Sequence, residues 1–156
     1  AMTPALPTVT LNSPEETAAL ARQIAAILAP GDVVLLEGDI GAGKTHFARS
    51  LVQSLLQVPE DVPSPTFTLV QTYETPTGEI WHADLYRLTS PDEIVELGLV
   101  DAFDEAICLV EWPDRLADLA PASALRLSFE LGAGTGQRRL AMTGTPRWAD
   151  RLAGLA

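Results

Sequence analysis

The sequence predicts a three-layer α/β fold with a central, mainly parallel sheet and antiparallel hairpins at its edges. Two short, uninterrupted apolar runs, Val33–Leu36 and Ala106–Val110, have the composition of strands buried on both faces. Segments with apolar residues at helical spacing lie around them, and pairs of strand-like segments are joined by turn sequences. Buried parallel strands combined with helices favour a sheet with helical layers on both sides.

The N-terminal part predicts a loose segment 1–7, a short edge strand and a helix. Thr8–Leu11 alternates in polarity like a strand. Ser13–Glu16 reads SPEE, a capping box with proline at the first helical position. Pro30-Gly31 ends the helix, whose apolar face is formed by Leu20, Ile24, Ile27 and Leu28.

A glycine-rich segment follows the first buried run. Residues 38–45 read GDIGAGKT, which fits the pattern G-x-x-x-x-G-K-[ST] without a gap. Residues 46–56 then carry apolar side chains at helical spacing. Strand, glycine loop and helix in this order form the context in which the pattern indicates a phosphate-binding loop, so the fold is predicted to be a P-loop nucleotide-binding fold.

The residue types in this loop suit a phosphate chain. Glycines let several backbone N–H groups point inward, and the helix adds its unpaired N–H groups and the positive end of its dipole. Lys44, the only lysine in the chain, would reach the β- and γ-phosphates, and the Thr45 hydroxyl would hold Mg²⁺. We predict that the nucleotide contacts Gly38, Asp39, Gly41, Ala42, Gly43, Lys44, Thr45 and His46.

The segments after this helix predict a loop and a hairpin. Val58–Pro65 contains three prolines and is expected to be a loop. Phe67–Tyr73 and Glu79–Leu85 are expected to be strands joined by the turn sequence TPTG at 75–78.

The last third of the chain predicts two helices and a second hairpin. Ser90–Glu93 repeats the capping pattern before a short helix. Leu125–Leu131 and Arg139–Thr143 are expected to pair around a glycine-rich turn at 132–136. Pro146–Leu155 predicts a closing helix.

Composition and charge restrict the classes of protein. At 156 residues, 47% of them apolar, we expect one domain over 1–156. A secretory signal and a membrane span are not apparent, and Cys108 has no second cysteine to pair with, so we expect a cytoplasmic protein that makes no membrane contact. A net charge of −11 argues against direct, tight binding of nucleic acid; if the chain serves RNA, another protein carries that RNA.

Two carboxylates are candidates for metal binding or catalysis beside the P-loop. Glu111 ends the second buried run, where P-loop NTPases place an acidic residue that binds Mg²⁺ through water or orients the attacking water. The alternative for Glu111 is a solvated carboxylate at a strand end. Asp84 would share a strand face with His82 and Tyr86, which either lines a site or is the solvent side of an antiparallel strand; alternation alone favours neither.

Two further groups have less specific patterns. The hydroxyls of Ser64 and Thr66 follow the P-loop helix and would contact Mg²⁺ or phosphate, unless this segment is only a loop that enters a strand. Arg138 and Arg139 would neutralise phosphate, although paired arginines at a strand start are commonly exposed to solvent.

Five segments together resemble one family. They are GDIGAGKTHF at 38–47, SPTFTLV at 64–70, HADLYRL at 82–88, ELGLVDAF at 96–103 and ICLVEWPDRL at 107–116. Their order and spacing are similar to those of the bacterial ATPase of tRNA threonylcarbamoyladenosine biosynthesis, called TsaE or YjeE. The resemblance weakens after about Ala117, and His46 stands where a second threonine is common in that family.

The resemblance implies an activity and partners. The family binds ATP with Mg²⁺, hydrolyses it slowly, and docks on a two-protein assembly that transfers a threonylcarbamoyl group to an adenosine in tRNA. The ATPase itself is not the transferase, and tRNA is met only indirectly.

The resemblance also implies roles for individual residues. Asp84, Glu111 and Lys44 are the candidate catalytic residues, and Thr45 and Glu111 are the candidate metal ligands. The segment 64–68 would be a switch-like loop, and Trp112 would lie near the nucleotide.

Three alternatives use the same loop. A GTPase is disfavoured because no second lysine exists to build the guanine-specific Asn/Thr-Lys-x-Asp element. A small-molecule kinase would need an arginine-rich lid, which is not evident. A nucleotide-dependent assembly switch with negligible hydrolysis needs the same site as a slow ATPase, and the sequence does not separate the two.

Overall fold

The protein is described by a computed structural model over residues 5–38, 43–56, 62–63 and 69–153. The strands of this part are β1 (Ala5–Leu11), β2 (Val33–Gly38), β3 (Val70–Thr75), β4 (Gly78–Asp84), β5 (Ile107–Glu111), β6 (Leu125–Leu131) and β7 (Arg138–Thr143). The α-helices are α1 (Pro14–Ala25), α2 (Lys44–Leu55), α3 (Pro91–Glu96), α4 (Leu99–Ala102) and α5 (Pro146–Leu152), and a kinked 3-10 segment spans Pro113–Leu119.

All seven of these strands form one mixed sheet in the order β1-β7-β6-β2-β5-β4-β3. The central strands β6, β2, β5 and β4 are parallel, whereas β7 and β1 at one edge and β3 at the other pair antiparallel. This confirms the predicted α/β class with a mainly parallel centre and antiparallel hairpins at the edges. Because the central strands run the same way, their carboxyl ends meet at one edge of the sheet.

Each face of the sheet has its own apolar core, since successive side chains of a strand point to opposite faces. Val34 and Leu36 of β2 belong to a core that also receives Phe47 of α2 and residues of α1 and α5. Val33 and Leu35 belong to the second core, with residues of α3, α4 and the 3-10 segment. The four residues are at most 3% exposed, which confirms the prediction of a strand buried on both faces.

The N-terminal elements follow their predicted signals with shifted ends. The Ser13 hydroxyl accepts the backbone N–H of Glu16 at 3.2 Å and caps α1, with Pro14 in the first turn. Helix α1 ends at Ala25, before the Pro30-Gly31 stop. Strand β1 is an edge strand as predicted, but it begins at Ala5, so it takes in the end of the segment expected to be loose.

Other boundaries and two short helices differ from the prediction. Ser90 precedes α3 without a side-chain cap bond, and α5 ends at Leu152 rather than at 155. Helix α4 was not predicted because its four residues are too few to show an apolar period. The 3-10 segment was not predicted either, and its backbone is interrupted by a kink at Ala117. Strand β3 begins at Val70, and the predicted loop 58–65, except residues 62–63, lies outside the described residues together with 66–68. No helix in the described ranges is long and apolar enough to cross a membrane.

Candidate functional site

The site lies at the carboxyl edge of the parallel strands. Strands β2, β4 and β5 end there at Gly38, Asp84 and Glu111. In the sheet register Glu111 is the partner of Leu36 on one side and of Asp84 on the other, so the three strand ends are neighbours. Helix α2 begins at Lys44, which also lies at this edge. The fold therefore brings together residues that are 73 positions apart in the chain (38 to 111).

The start of α2 depends on two glycines with backbone geometry that other residues rarely adopt. Gly43 is the N-cap residue, with φ 102°. Gly38, at φ 131°, lies so close to β6 that an added Cβ would be 2.3 Å from the carbonyl oxygen of Phe129. Both positions therefore require glycine, which explains their spacing within the loop pattern.

Lys44 is buried at the first position of α2, with 5% of its surface exposed. Its ammonium group donates a hydrogen bond to the backbone carbonyl of Gly38 at 2.5 Å. The same Nζ atom lies 3.7 Å from the centroid of the Trp112 ring. The loop's own carbonyl and an aromatic face thus hold the cation in place beside the loop.

Glu111 is the centre of a buried hydrogen-bonded chain. One carboxylate oxygen accepts the Thr45 hydroxyl at 2.9 Å, and the other lies 2.7 Å from Nε2 of His82. Glu111 is 2% exposed and His82 is fully buried. Glu111 is therefore not a solvated carboxylate at a strand end, which was the alternative left open by the sequence. Alternation in the sequence places His82 on a face that could line a site but gives it no role of its own.

Asp84 lies on the same face of β4 as His82 and is 6% exposed. Its Oδ1 accepts the backbone N–H of Tyr86 at 3.0 Å, which closes the turn after the strand. The face with His82 and Asp84 is therefore buried rather than the solvent side of the strand. Tyr86 does not share that face as alternation predicted, because β4 ends at Asp84; Tyr86 is 46% exposed.

Trp112 follows Glu111 directly and has left-handed backbone geometry, with φ 59° and ψ 55°. Non-glycine residues adopt this geometry in only a few per cent of cases, and it redirects the chain between β5 and the 3-10 segment. The indole contacts both the Lys44 ammonium and the ring of Tyr86, whose centroid is 4.8 Å away. The sequence contains no pattern that predicts this turn.

A cavity of about 230 Å³ lies next to Gly43. The Nε2 atom of His46 is 3.0 Å from the backbone carbonyl oxygen of Pro14, which ties α2 to the start of α1. The cavity is lined by Ser13, Pro14, Thr17, Gly43, His46, Gly136 and Arg138.

Only one of the two predicted arginines of β7 lies near the start of α2. Arg138 is half-buried beside Gly43, within 4.0 Å of the position that a Cβ at Gly43 would take. Arg139 is exposed, and strand alternation directs it to the opposite face of β7. The structure thus brings Arg138, and not Arg139, to the start of α2.

Five predicted nucleotide contacts lie outside the described residues: Asp39, Gly41, Ala42, Ser64 and Thr66. Their roles stay predictions. Within the described ranges, no group of three or more His, Cys, Asp or Glu side chains is arranged to hold a metal ion.

Known proteins share this arrangement of segments. The sequence model of the family described as "Threonylcarbamoyl adenosine biosynthesis protein TsaE" matches residues 11–140, which is most of the chain. The chain belongs to the TsaE family. This confirms the resemblance inferred from the sequence motifs. The family takes part in the biosynthesis of threonylcarbamoyladenosine in tRNA.

Similar sequences and a solved structure agree with this assignment. The tRNA threonylcarbamoyladenosine biosynthesis protein TsaE of Rickettsia bellii is 45% identical over 121 residues, which are 78% of this chain and 84% of that protein. The TsaE protein of Bacillus subtilis is 39% identical over 132 residues, 84% of this chain and 81% of that one. The crystal structure of Bacillus subtilis YdiB has a TM-score of 0.77 at 31% identity and covers 98% of this chain and 94% of its own.

Proposed function

We propose that this TsaE-family protein binds ATP with Mg²⁺ in a P-loop nucleotide-binding fold, hydrolyses it slowly, and thereby supports threonylcarbamoyl transfer to tRNA. The observation that carries the proposal is the contact between Thr45 and Glu111 directly beside Lys44 at the start of α2. A hydroxyl, a carboxylate and an ammonium group at a helix N-terminus match the charges of a magnesium–triphosphate complex.

Phosphate binding is assigned to the start of α2. Lys44 exchanges its bond to the Gly38 carbonyl for the β- and γ-phosphate oxygens, which are stronger acceptors because they are charged. The unpaired N–H groups and the dipole of α2 add to the attraction. Lys44 thus contributes affinity and neutralises charge that develops during phosphoryl transfer.

The oxygen atoms of Thr45 and Glu111 fit a magnesium ion. Mg²⁺ prefers oxygen ligands, keeps several waters, and is commonly bound through one or two protein groups plus substrate phosphates. The 2.9 Å contact brings such a pair together without a dedicated metal cage. A bound ion would neutralise phosphate charge at this position.

The buried carboxylates are assigned to hydrolysis. Glu111 orients the attacking water or holds a water of the ion, and Asp84 on the neighbouring strand end supports it. Their burial supports the assignment, because carboxylates at 2% and 6% exposure act in surroundings with little competing solvent.

We assign the nucleoside end of ATP to the cavity beside Gly43. Its wall combines a histidine, two hydroxyl residues and an arginine next to the loop that would hold the phosphates. Arg138 in this wall would compensate phosphate charge close to Gly43.

The partner is proposed to be the transferase pair of the same pathway, with tRNA met indirectly. The net charge of −11 supports docking on protein rather than on an exposed phosphate backbone.

Hydrolysis of ATP by the purified chain with Mg²⁺, alone and with the transferase pair, tests the proposal. We expect Glu111→Gln to reduce phosphate release on the order of 100-fold while ATP binding measured by calorimetry persists. Lys44→Ala should instead weaken ATP binding by about 10-fold or more. Glu79→Gln, an exposed carboxylate at the far end of β4, is the matched control and should change neither quantity.

Two outcomes contradict the proposal. ATP binding without hydrolysis in any combination would favour an assembly switch. Normal hydrolysis by the Glu111 variant would remove this residue from the mechanism.

A further inference from the structure

His82 is a buried polar side chain to which the proposed function gives no role. It lies on β4, is fully buried, and shares the face that carries Asp84. A polar side chain at such a position costs free energy unless its atoms find partners. Its only hydrogen bond in the described part of the chain goes to Glu111.

The contact fixes one half of the Glu111 carboxylate. The 2.7 Å bond from His82 holds Oε2, and the 2.9 Å bond from Thr45 holds Oε1. The Thr45 hydroxyl donates its proton to Oε1 and keeps lone pairs for a magnesium ion, so this bond is compatible with the proposed metal site. His82 is the partner that holds the other oxygen of the carboxylate.

The second ring nitrogen of His82 indicates which tautomer is present. Nδ1 is buried and has no hydrogen-bond partner among the described residues. A proton on Nδ1 would bury an N–H donor without an acceptor, whereas an unprotonated Nδ1 leaves only a lone pair unused. The hydrogen-bond network therefore assigns the proton to Nε2, which donates it to Glu111.

We propose that His82 is a positioning residue that acts through Glu111. It holds the inner carboxylate oxygen so that the outer oxygen faces Thr45 and the phosphate site. The inference rests on the proposed ATPase function, because it concerns the same carboxylate. Partners of this kind orient metal-site ligands, and their loss commonly costs 10–100-fold in activity or metal affinity.

Two substitutions distinguish a role of His82 in positioning the Glu111 carboxylate from a role in filling buried space. His82→Phe keeps a ring in the buried site but removes the N–H donor, whereas His82→Gln keeps a donor on a flexible chain. We expect His82→Phe to lower kcat by about 10–100-fold while KM for ATP changes by less than about 3-fold. His82→Gln should recover most of kcat. Equal kcat in His82→Phe and the unaltered protein would overturn the proposal.

A spectroscopic measurement on the nucleotide-free protein tests the contact without relying on activity. The chain has two histidines, so imidazole ¹⁵N signals can be assigned by deleting His46 in His46→Gln. We expect His82 to carry its proton on Nε2, with slow exchange, and this signal to move in Glu111→Ala. A proton on Nδ1 would overturn the proposal, and so would a His82 signal that does not change in Glu111→Ala. This test does not depend on whether a His82 variant folds.

The activity and spectroscopic measurements also distinguish a failure of this inference from a failure of the proposed ATPase function on which it rests. No hydrolysis by the unaltered protein, alone or with the transferase pair, would overturn the proposed ATPase and with it the catalytic meaning of the contact. Normal hydrolysis with an unaffected His82→Phe variant would overturn the positioning role alone.

Discussion

Asp32 and Glu111 are buried carboxylates at opposite ends of two neighbouring parallel strands, and they have different kinds of partners. Asp32 precedes β2 at the amino edge of the sheet, where Arg151 of α5 binds both of its oxygens at 3.0 and 2.6 Å. Glu111 ends β5 at the carboxyl edge, where the hydroxyl of Thr45 and the imidazole of His82 donate to it. One carboxylate faces a fixed cation and the other faces groups without a fixed charge.

The remaining contacts at the amino edge give the charged and polar groups around Asp32 partners within the protein. The backbone N–H of Ala29 also donates to Asp32 at 2.7 Å, and the Arg151 guanidinium donates to the Ile27 carbonyl. The guanidinium carbon lies 4.2 Å from the centroid of the Trp148 ring. Charge, donors and stacking are therefore satisfied within the protein, and no ligand is needed there.

The comparison teaches that burial alone does not distinguish a candidate catalytic carboxylate from a structural one, whereas the chemistry of their partners separates Glu111 from Asp32. A bidentate arginine ties α5 to the turn before β2 and stabilises the fold. A hydroxyl and an imidazole bring no permanent positive charge to the Glu111 carboxylate, so a cation brought by a ligand can interact with it strongly.

The largest expected effect that tests this comparison is the loss of Arg151. Arg151→Met leaves the Asp32 carboxylate, 7% exposed in its side chain, without its counter-charge. We expect the free energy of unfolding to fall by about 3 kcal/mol, the lower end for a broken buried pair, because Arg151 is itself partly exposed. Urea unfolding monitored by tryptophan fluorescence measures the change, and ATP turnover per folded molecule should stay unaltered.

Glu111→Gln is the reciprocal control in the same unfolding experiment. Glutamine keeps hydrogen-bonding groups for Thr45 and His82 and removes a buried charge, so stability should change by less than about 1 kcal/mol or increase. A loss near that of Arg151→Met would show that Glu111 is a structural residue, and the comparison would fail. The double variant Asp32→Asn/Arg151→Met should lose less than Arg151→Met alone, because no unpaired charge remains.

The elements that the sequence predicts well are those with local patterns. Val33–Leu36 is an uninterrupted run of β-branched and aliphatic residues, and Ser13 precedes a glutamate at the capping spacing, so β2 and α1 follow from neighbouring residues alone. Helix α4 has four residues, too few to show a helical period. Its position depends on packing against α3, and no pattern in the neighbouring residues predicts this packing.

The candidate site likewise contains residues that a local pattern marks and residues that only the fold brings together. The positions of Lys44 and Thr45 at a helix start and of Glu111 at a strand end could be predicted, because a loop motif and an apolar run mark them. The contact of His82 with Glu111 could not be predicted, because it depends on the register in which β4 pairs with β5. The position of Trp112 depends on a positive φ that its residue type does not favour.

Cys108 gives a smaller effect, because it is a buried titratable group with only a weak polar contact. Its Sγ lies 3.9 Å from the Ala106 carbonyl oxygen, and burial raises the pKa of the thiol from 9.0 to about 12. Below pH 9 the thiol is neutral in both folded and unfolded chains. As the pH rises above 9, the unfolded chain ionises first, so stability should fall until about pH 12.

At pH 10 this loss should be about 1.4 kcal/mol, one pH unit above the unfolded value. Urea unfolding of the protein and of Cys108→Ala at pH 8 and 10 isolates it, because the other titrating groups are common to both chains. The substitution itself shifts stability by a constant amount. An identical pH dependence in the two chains would mean that the thiol does not remain protonated in the fold.

The smallest effect is expected at Glu37, a third carboxylate on the same central strands. Arg126 pairs with it at 3.0 Å, but the two side chains are 33% and 40% exposed. Solvent screens such a pair, so Arg126→Met should cost less than about 1 kcal/mol, against about 3 kcal/mol for Arg151→Met. The two substitutions remove the same charge, and the pairs differ in burial and in the number of hydrogen bonds. Equal losses in urea unfolding would refute burial as the cause. Added salt provides a second measurement, since it should reduce the small contribution of Arg126 and leave that of Arg151 nearly unchanged.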